Sequence, residues 1–138
     1  MVAFLAVLLS AVASMLPIRV LGYNPLSANC EDRLLDTVDE ACSFDLILLA
    51  GTCIKRGDSY KSFKHVGRLV VSSGYVNRTL SNKSCGTAVV LGKRFQNARI
   101  HEPIETVGKL AWRGLGLHVS NGYSDFTAIV ACFPPVPW

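Results

Sequence analysis

Residues 115–133 read Leu115-Gly-Leu-His-Val-Ser-Asn-Gly-Tyr-Ser-Asp-Phe-Thr-Ala-Ile-Val-Ala-Cys-Phe133, two apolar runs with Asn121-Gly122 between them. An Asn-Gly pair flanked by apolar runs signals a hairpin, because both residues tolerate the left-handed backbone of a tight turn. The stretch therefore predicts a strand over 115–119, a turn at Asn121-Gly122 and a strand over 126–133. Pro134, Pro135 and Pro137 follow; lacking amide hydrogens, they end the ladder and leave Val136 and Trp138 in a tail.

Working back from the hairpin, residues 102–113 carry Ile104, Val107, Leu110 and Ala111 at helical spacing, with Pro103 in the first turn and Gly114 as a stop. Residues 85–91 predict a strand buried on both faces, ended by Gly92-Lys93-Arg94. Short strands are expected over 66–72 and 75–80, a basic polar loop over 55–65, and a buried strand over 46–54 with a bulge at Gly51. Residues 29–42 place Leu34, Leu35, Val38, Ala41 and Cys42 on one helical face, with Glu31 and Asp32 in the first turn and Ser27 or Asn29 as a cap. Together these elements predict an α+β fold, a small two-layer sandwich in which two helices cover one face of an antiparallel sheet, stabilised by disulfides.

The 138 residues make one domain, and 50% hydrophobic against 17% charged residues excludes an intrinsically disordered chain. Residues 2–16 hold no charged side chain. About fifteen residues is short for a membrane span, which needs roughly 20, and suits the apolar core of a signal peptide. Small residues allow cleavage after Ala13 or after Gly22, and the second is preferred, giving a leader over 1–22 and a single secreted domain over 23–138. The product is expected in the extracellular space, with delivery into a host as one route, without a membrane anchor and as a monomer.

All five cysteines, Cys30, Cys42, Cys53, Cys85 and Cys132, follow the leader, so an oxidising compartment would yield two disulfides and one odd thiol. If Cys30 and Cys42 bracket one helix, about 18 Å separates them, too far to bridge. The favoured pairing is Cys30 with Cys132, the longest loop. Asn77-Arg78-Thr79 and Asn82-Lys83-Ser84 are acceptor triplets for N-glycosylation. Neither a cofactor nor a metal site is expected: there is no Cys-x-x-Cys pair, HExxH, P-loop or GxSxG.

Chemistry is sparse. His101 and Glu102, with Glu105 one turn later and Arg99 before them, supply an acid, a base and a cation at a helix start, the set that metal-free phosphodiester cleavage uses. The plainer account is that the two glutamates favour the helix dipole and His101 approximates a cap. Basic residues cluster at Lys55-Arg56, at Lys61, Lys64 and Arg68, and at Lys93-Arg94 with Arg99, interleaved with Tyr60, Phe63 and Phe95. That composition suits phosphate contacts and base stacking, although a net charge of only +4 fits solvated loop charges better. Trp112 is expected over a helix–sheet seam and Trp138 in an exposed tail.

The apolar leader, the start at Tyr23, the segment Cys30-Glu-Asp-Arg-Leu-Leu-Asp-Thr-Val-Asp-Glu-Ala-Cys42 and the ending Ala131-Cys132-Phe133 resemble small secreted effectors of plant-pathogenic fungi. First and last cysteines in these places are similar to the ribonuclease-like effectors of powdery mildews, whose Tyr-x-Cys beginning is here stretched from Tyr23 to Cys30. The order of a strand at Cys85-Gly86-Thr87, a helix over 104–111 and a strand over 126–132 resembles killer-toxin-like and necrosis-inducing fungal effectors. Either resemblance implies a secreted virulence scaffold that binds a host protein without catalysis. The expected binding surface is Tyr60, Phe63, Lys64, Arg94 and Trp138. The alternatives are a secreted ribonuclease, with RNA as partner and His101, Glu102, Glu105 and Arg99 as its set, and an antimicrobial killer toxin.

Overall fold

The computed structural model describes residues 4–14, 17–24, 43–52, 60–65, 67–73, 86–106 and 113–133, with residues 4–14, 61, 65 and 133 described by backbone alone. The described residues form ten strands and no α-helix: β1 (Phe4–Ser14), β2 (Val20–Tyr23), β3 (Leu46–Ala50), β4 (Lys61–His65), β5 (Arg68–Ser72), β6 (Thr87–Leu91), β7 (Arg99–Ile100), β8 (Ile104–Glu105), β9 (Gly114–Ser120) and β10 (Ser124–Phe133). One five-stranded sheet runs β1-β10-β9-β7, with β8 also paired to β9; the other runs β2-β3-β6-β5-β4. The expected α+β sandwich is thus corrected to two sheets packed face to face.

The hairpin that anchors the first sheet forms because its apolar residues alternate. Leu115, Leu117 and Val119 on β9 and Phe126, Ala128, Val130 and Cys132 on β10 are all buried, on the face turned to the second sheet. Leu46, Leu48, Ala50, Val71, Val89 and Leu91 meet them from that sheet. Burying each such Leu or Val side chain contributes about 1.5–3 kcal/mol. Phe95, brought in by the short 3₁₀ turn Lys93–Phe95, packs edge-on to Phe126 with ring centroids 5.1 Å apart. At the turn, the Asn121 amide donates to Ser124 O at 2.8 Å, and the Asn121 side-chain oxygen accepts from the amides of Tyr123 and Ser124 at 2.9 and 2.7 Å. The two central residues are therefore Gly122 and Tyr123, one position later than Asn-Gly suggests. The Asn121 side chain, and not a left-handed glycine, sets the bend.

Every residue of β3 and β6 is buried. Ile47, Leu49, Val70, Ala88 and Val90 make a second apolar cluster on the outer face of the second sheet, with Leu21, Phe44 and Phe63 against it. At the end of β3, Gly51 takes φ 74° and the amides of Gly51 and Thr52 both donate to Gly86 O, at 2.8 and 3.0 Å. Two residues opposite one make a bulge there.

Two further expectations are corrected. The helix expected over 102–113 does not form over 102–106: Ile104–Glu105 is a strand on β9, and residues 107–112 lie outside those described. The basic loop over 55–65 contains β4, which pairs with β5 through a turn where Gly67 has φ 74°. The helix over 29–42, the strand over 75–80, the triplets at Asn77 and Asn82, Trp112, Trp138 and four of the five cysteines lie outside the described residues. The fifth, Cys132, is fully buried between the sheets.

The amino-terminal residues take part in both sheets. β1 pairs antiparallel with β10, from Phe4 opposite Phe133 to Ser14 opposite Ser124. β2 pairs parallel with β3, so a boundary after Gly22 falls inside a strand and one after Ala13 leaves β2 whole. Ahead of β2, the Arg19 amide donates to Asp45 Oδ2 at 2.9 Å, and the Asp45 and Leu46 amides donate to Arg19 O at 2.9 and 3.1 Å.

Candidate functional site

Among the described residues, the edge of the first sheet opposite β1 is built from β7 and β8, both on β9, with His101–Pro103 between them. Ile100 faces Val119 and Ile104 faces Gly116, so three edge residues, His101, Glu102 and Pro103, span two on β9, Leu117 and His118. One extra residue on one strand reverses the faces of everything after it. Ile100 thus packs against the core, whereas Ile104 points outward and is 75% exposed. Glu105 shares the inward register of Leu115, and its Oε2 accepts the Tyr60 amide at 3.0 Å.

That hydrogen bond ties the edge of one sheet to the chain entering β4 in the other. Beside it lies an open cleft of about 210 Å³, with Tyr60, Ser62, Leu69 and Val71 on one side and Ile100, His101, Glu102 and Pro103 on the other. Leu69, Val71, Ile100 and Pro103 give it apolar lining; Tyr60, Ser62, His101 and Glu102 add polar groups. Lys64, the register partner of Leu69, is exposed two residues along from Ser62 on the same face of β4.

On the outer face of the first sheet His101 sits opposite His118: the His101 amide donates to His118 O at 3.1 Å, and the two rings stack with centroids 4.2 Å apart and 12° between planes. His118 Nε2 bonds Asp125 Oδ1, and because a carboxylate only accepts, that nitrogen carries the hydrogen. His101 Nε2 lies 3.2 Å from Ser120 Oγ. Each imidazole therefore has its Nε2 engaged within the protein.

Of the residues expected to cleave RNA, His101 and Glu102 share the cleft, the Glu105 carboxylate is engaged by Tyr60, and Arg99 is exposed opposite Ser120. Of those expected to bind, Tyr60 lines the cleft and Lys64 stands beside it, while Phe63 faces the apolar cluster on the other side of the sheet. Arg94 does not line the cleft: its Nη1 donates to Pro17 O at 2.6 Å and to Asp45 Oδ2 at 3.4 Å, and its guanidinium lies 5.4 Å from the Phe95 ring centre. Sequence reasoning did not find Ser120, Asp125 or the partnership of His118 with His101. The signal available was the outward parity of His118 and Ser120 on β9. No group of three metal-ligating side chains occurs among the described residues.

The chain matches no protein-family model, and no curated protein or solved structure is detectably similar to it.

Proposed function

We propose that the chain is a secreted, non-catalytic, effector-like protein that binds a host protein, and that the cleft between β4–β5 and His101–Pro103 receives the partner. The observation that supports this reading is the size and lining of the cleft. At about 210 Å³ it is smaller than the roughly 300–1,000 Å³ of small-molecule sites and suits one large side chain of a partner. Four apolar residues beside four that carry polar groups offer an anchoring residue both burial and hydrogen bonds. Tyr60 and Lys64 remain in the binding surface, with His101 and Glu102 added from the facing edge; Arg94 is engaged instead by Asp45 and the Phe95 ring, partners that stay when residues 1–22 are gone.

A photoreactive residue in place of Glu102 is expected to crosslink a discrete host protein, while the same residue in place of Gly122, at the exposed hairpin turn, does not. Equal crosslinking at both positions would remove the cleft as the surface. A ribonuclease is the second reading, favoured by His101 and Glu102 at one cleft. Against it, both imidazoles spend Nε2 on internal partners, and stacked rings do not bracket a phosphate. Robust RNA hydrolysis lost in His101→Ala would overturn the non-catalytic reading.

A further inference from the structure

The preferred and the alternative leader boundaries have one consequence in common. Cleavage after Ala13 removes all of β1 but Ser14, and cleavage after Gly22 removes it entirely. β1 is the outer neighbour of β10 along nearly its whole length. Its loss leaves the amides and carbonyls on that side of β10 without strand partners. We propose that leader removal uncovers the β10 edge for antiparallel pairing with β10 of a second copy, an inference that rests on residues 1–22 being a leader.

The composition of β10 favours this occupant. Exposed edges are ordinarily blunted by charges, proline or bulges. From Phe126 through Phe133 there is no charged residue, proline or glycine, and the prolines begin only at Pro134. A two-fold axis at Ile129 keeps the faces matched: Thr127 falls opposite Ala131 on the outer face, and Ala128 opposite Val130 on the buried one. Asp125, the one charge of β10, falls opposite Phe133 and not against its own copy. The interface is then isologous, and the two buried rows join into one layer. A slip by one residue would set buried positions against exposed ones, which specifies this parity. The cleft lies at the opposite edge of the sheet, beyond β9, so pairing leaves it open.

The full chain is secreted from an oxidising host, its amino terminus is read by mass spectrometry, and its molar mass is measured by light scattering at high micromolar concentration. A product cut after Ala13 or Gly22 is expected at twice the chain mass. Ile129 is 39% exposed on the outer face, so Ile129→Lys and Ile129→Asp should each keep the circular dichroism of the parent and unfold cooperatively, at the lower midpoint that loss of the dimer gives. Each variant alone is expected to be monomeric, and an equimolar mixture to return to dimer. A cleaved, folded product that stays monomeric overturns the proposal by itself, as does a dimer unaffected by either substitution. So does a monomer that takes up a synthetic peptide of residues 4–14, which assigns the edge to another strand. A product retaining residues 4–14 overturns the proposal together with the leader reading.

Discussion

The Glu105 carboxylate accepts the backbone amide of Tyr60 at 3.0 Å, joining a strand of one sheet to the residue that leads into β4 of the other, 45 positions away. A backbone amide bonded to an ionised acceptor contributes about 1.5–3 kcal/mol when partly shielded from water. Glu105→Ala is therefore expected to destabilise the chain by about 1–2 kcal/mol and to speed hydrogen exchange at the Tyr60 amide. Glu105→Gln, which keeps an acceptor, should retain most of the protection. Equal exchange in all three proteins would show that this bond does not hold the cleft wall.

The extra residue in the β7–β8 edge makes a sharper prediction. Deleting Glu102 restores equal spacing along the edge, turning Ile104 toward the core and Glu105 outward. A thiol introduced by Ile104→Cys is expected to react readily with a maleimide in the folded parent. In the deletion variant the same thiol should react at least tenfold more slowly, as roughly 1.4 kcal/mol of added protection gives. Unchanged labelling would show that the edge does not shift register.

Asp45 collects the Arg19 amide and the Arg94 guanidinium, and its side chain is only 13% exposed. In a chain that retains Arg19, Asp45→Ala leaves the Arg94 guanidinium and the Arg19 amide each short of one acceptor. A loss of about 2–3 kcal/mol in denaturant unfolding is expected. Arg94→Ala should also destabilise but leave crosslinking from position 102 unchanged, which separates its structural role from binding.

Gly92 is a packing position. A Cβ there would lie 2.7 Å from Phe44 O and 2.9 Å from Asp45 O, both backbone atoms, while the Gly92 amide itself donates to Asp45 O at 2.8 Å. Gly92→Ala is expected to cost about 1–3 kcal/mol, read as a lowered unfolding midpoint. Gly122→Ala meets nothing within 4 Å and should change stability by less than about 0.5 kcal/mol. Similar losses at both sites would contradict this packing.

The hairpin, the fully buried β6 and the bulge at Gly51 were legible because each carries a local signal: an Asn-Gly turn, an unbroken apolar run, a glycine inside a strand. The edge elements were not. Ile104 and Val107 are spaced like one helical face, but the two-residue β8 is too short to show a strand period, and pairing with β9 decides its form. β4, Lys61–His65, has a single apolar residue, Phe63, between polar ones; a basic edge strand reads as a loop for the same reason that it resists unwanted pairing. For the candidate site, His101 and Glu102 were found by residue type. Their neighbour His118 is set by strand register, and register is a property of two segments together.

All pairings of the first sheet involve β9 or β10: β7 and β8 join β9, β9 joins β10, and β10 joins β1. During synthesis at roughly 5–20 residues per second, the sheet has nothing to assemble on until residues after Gly114 leave the ribosome. The amino-terminal strand thus remains unpaired within its sheet for most of translation. The strand made first is held in waiting for the strand made last, and the sheet closes only when synthesis is nearly over.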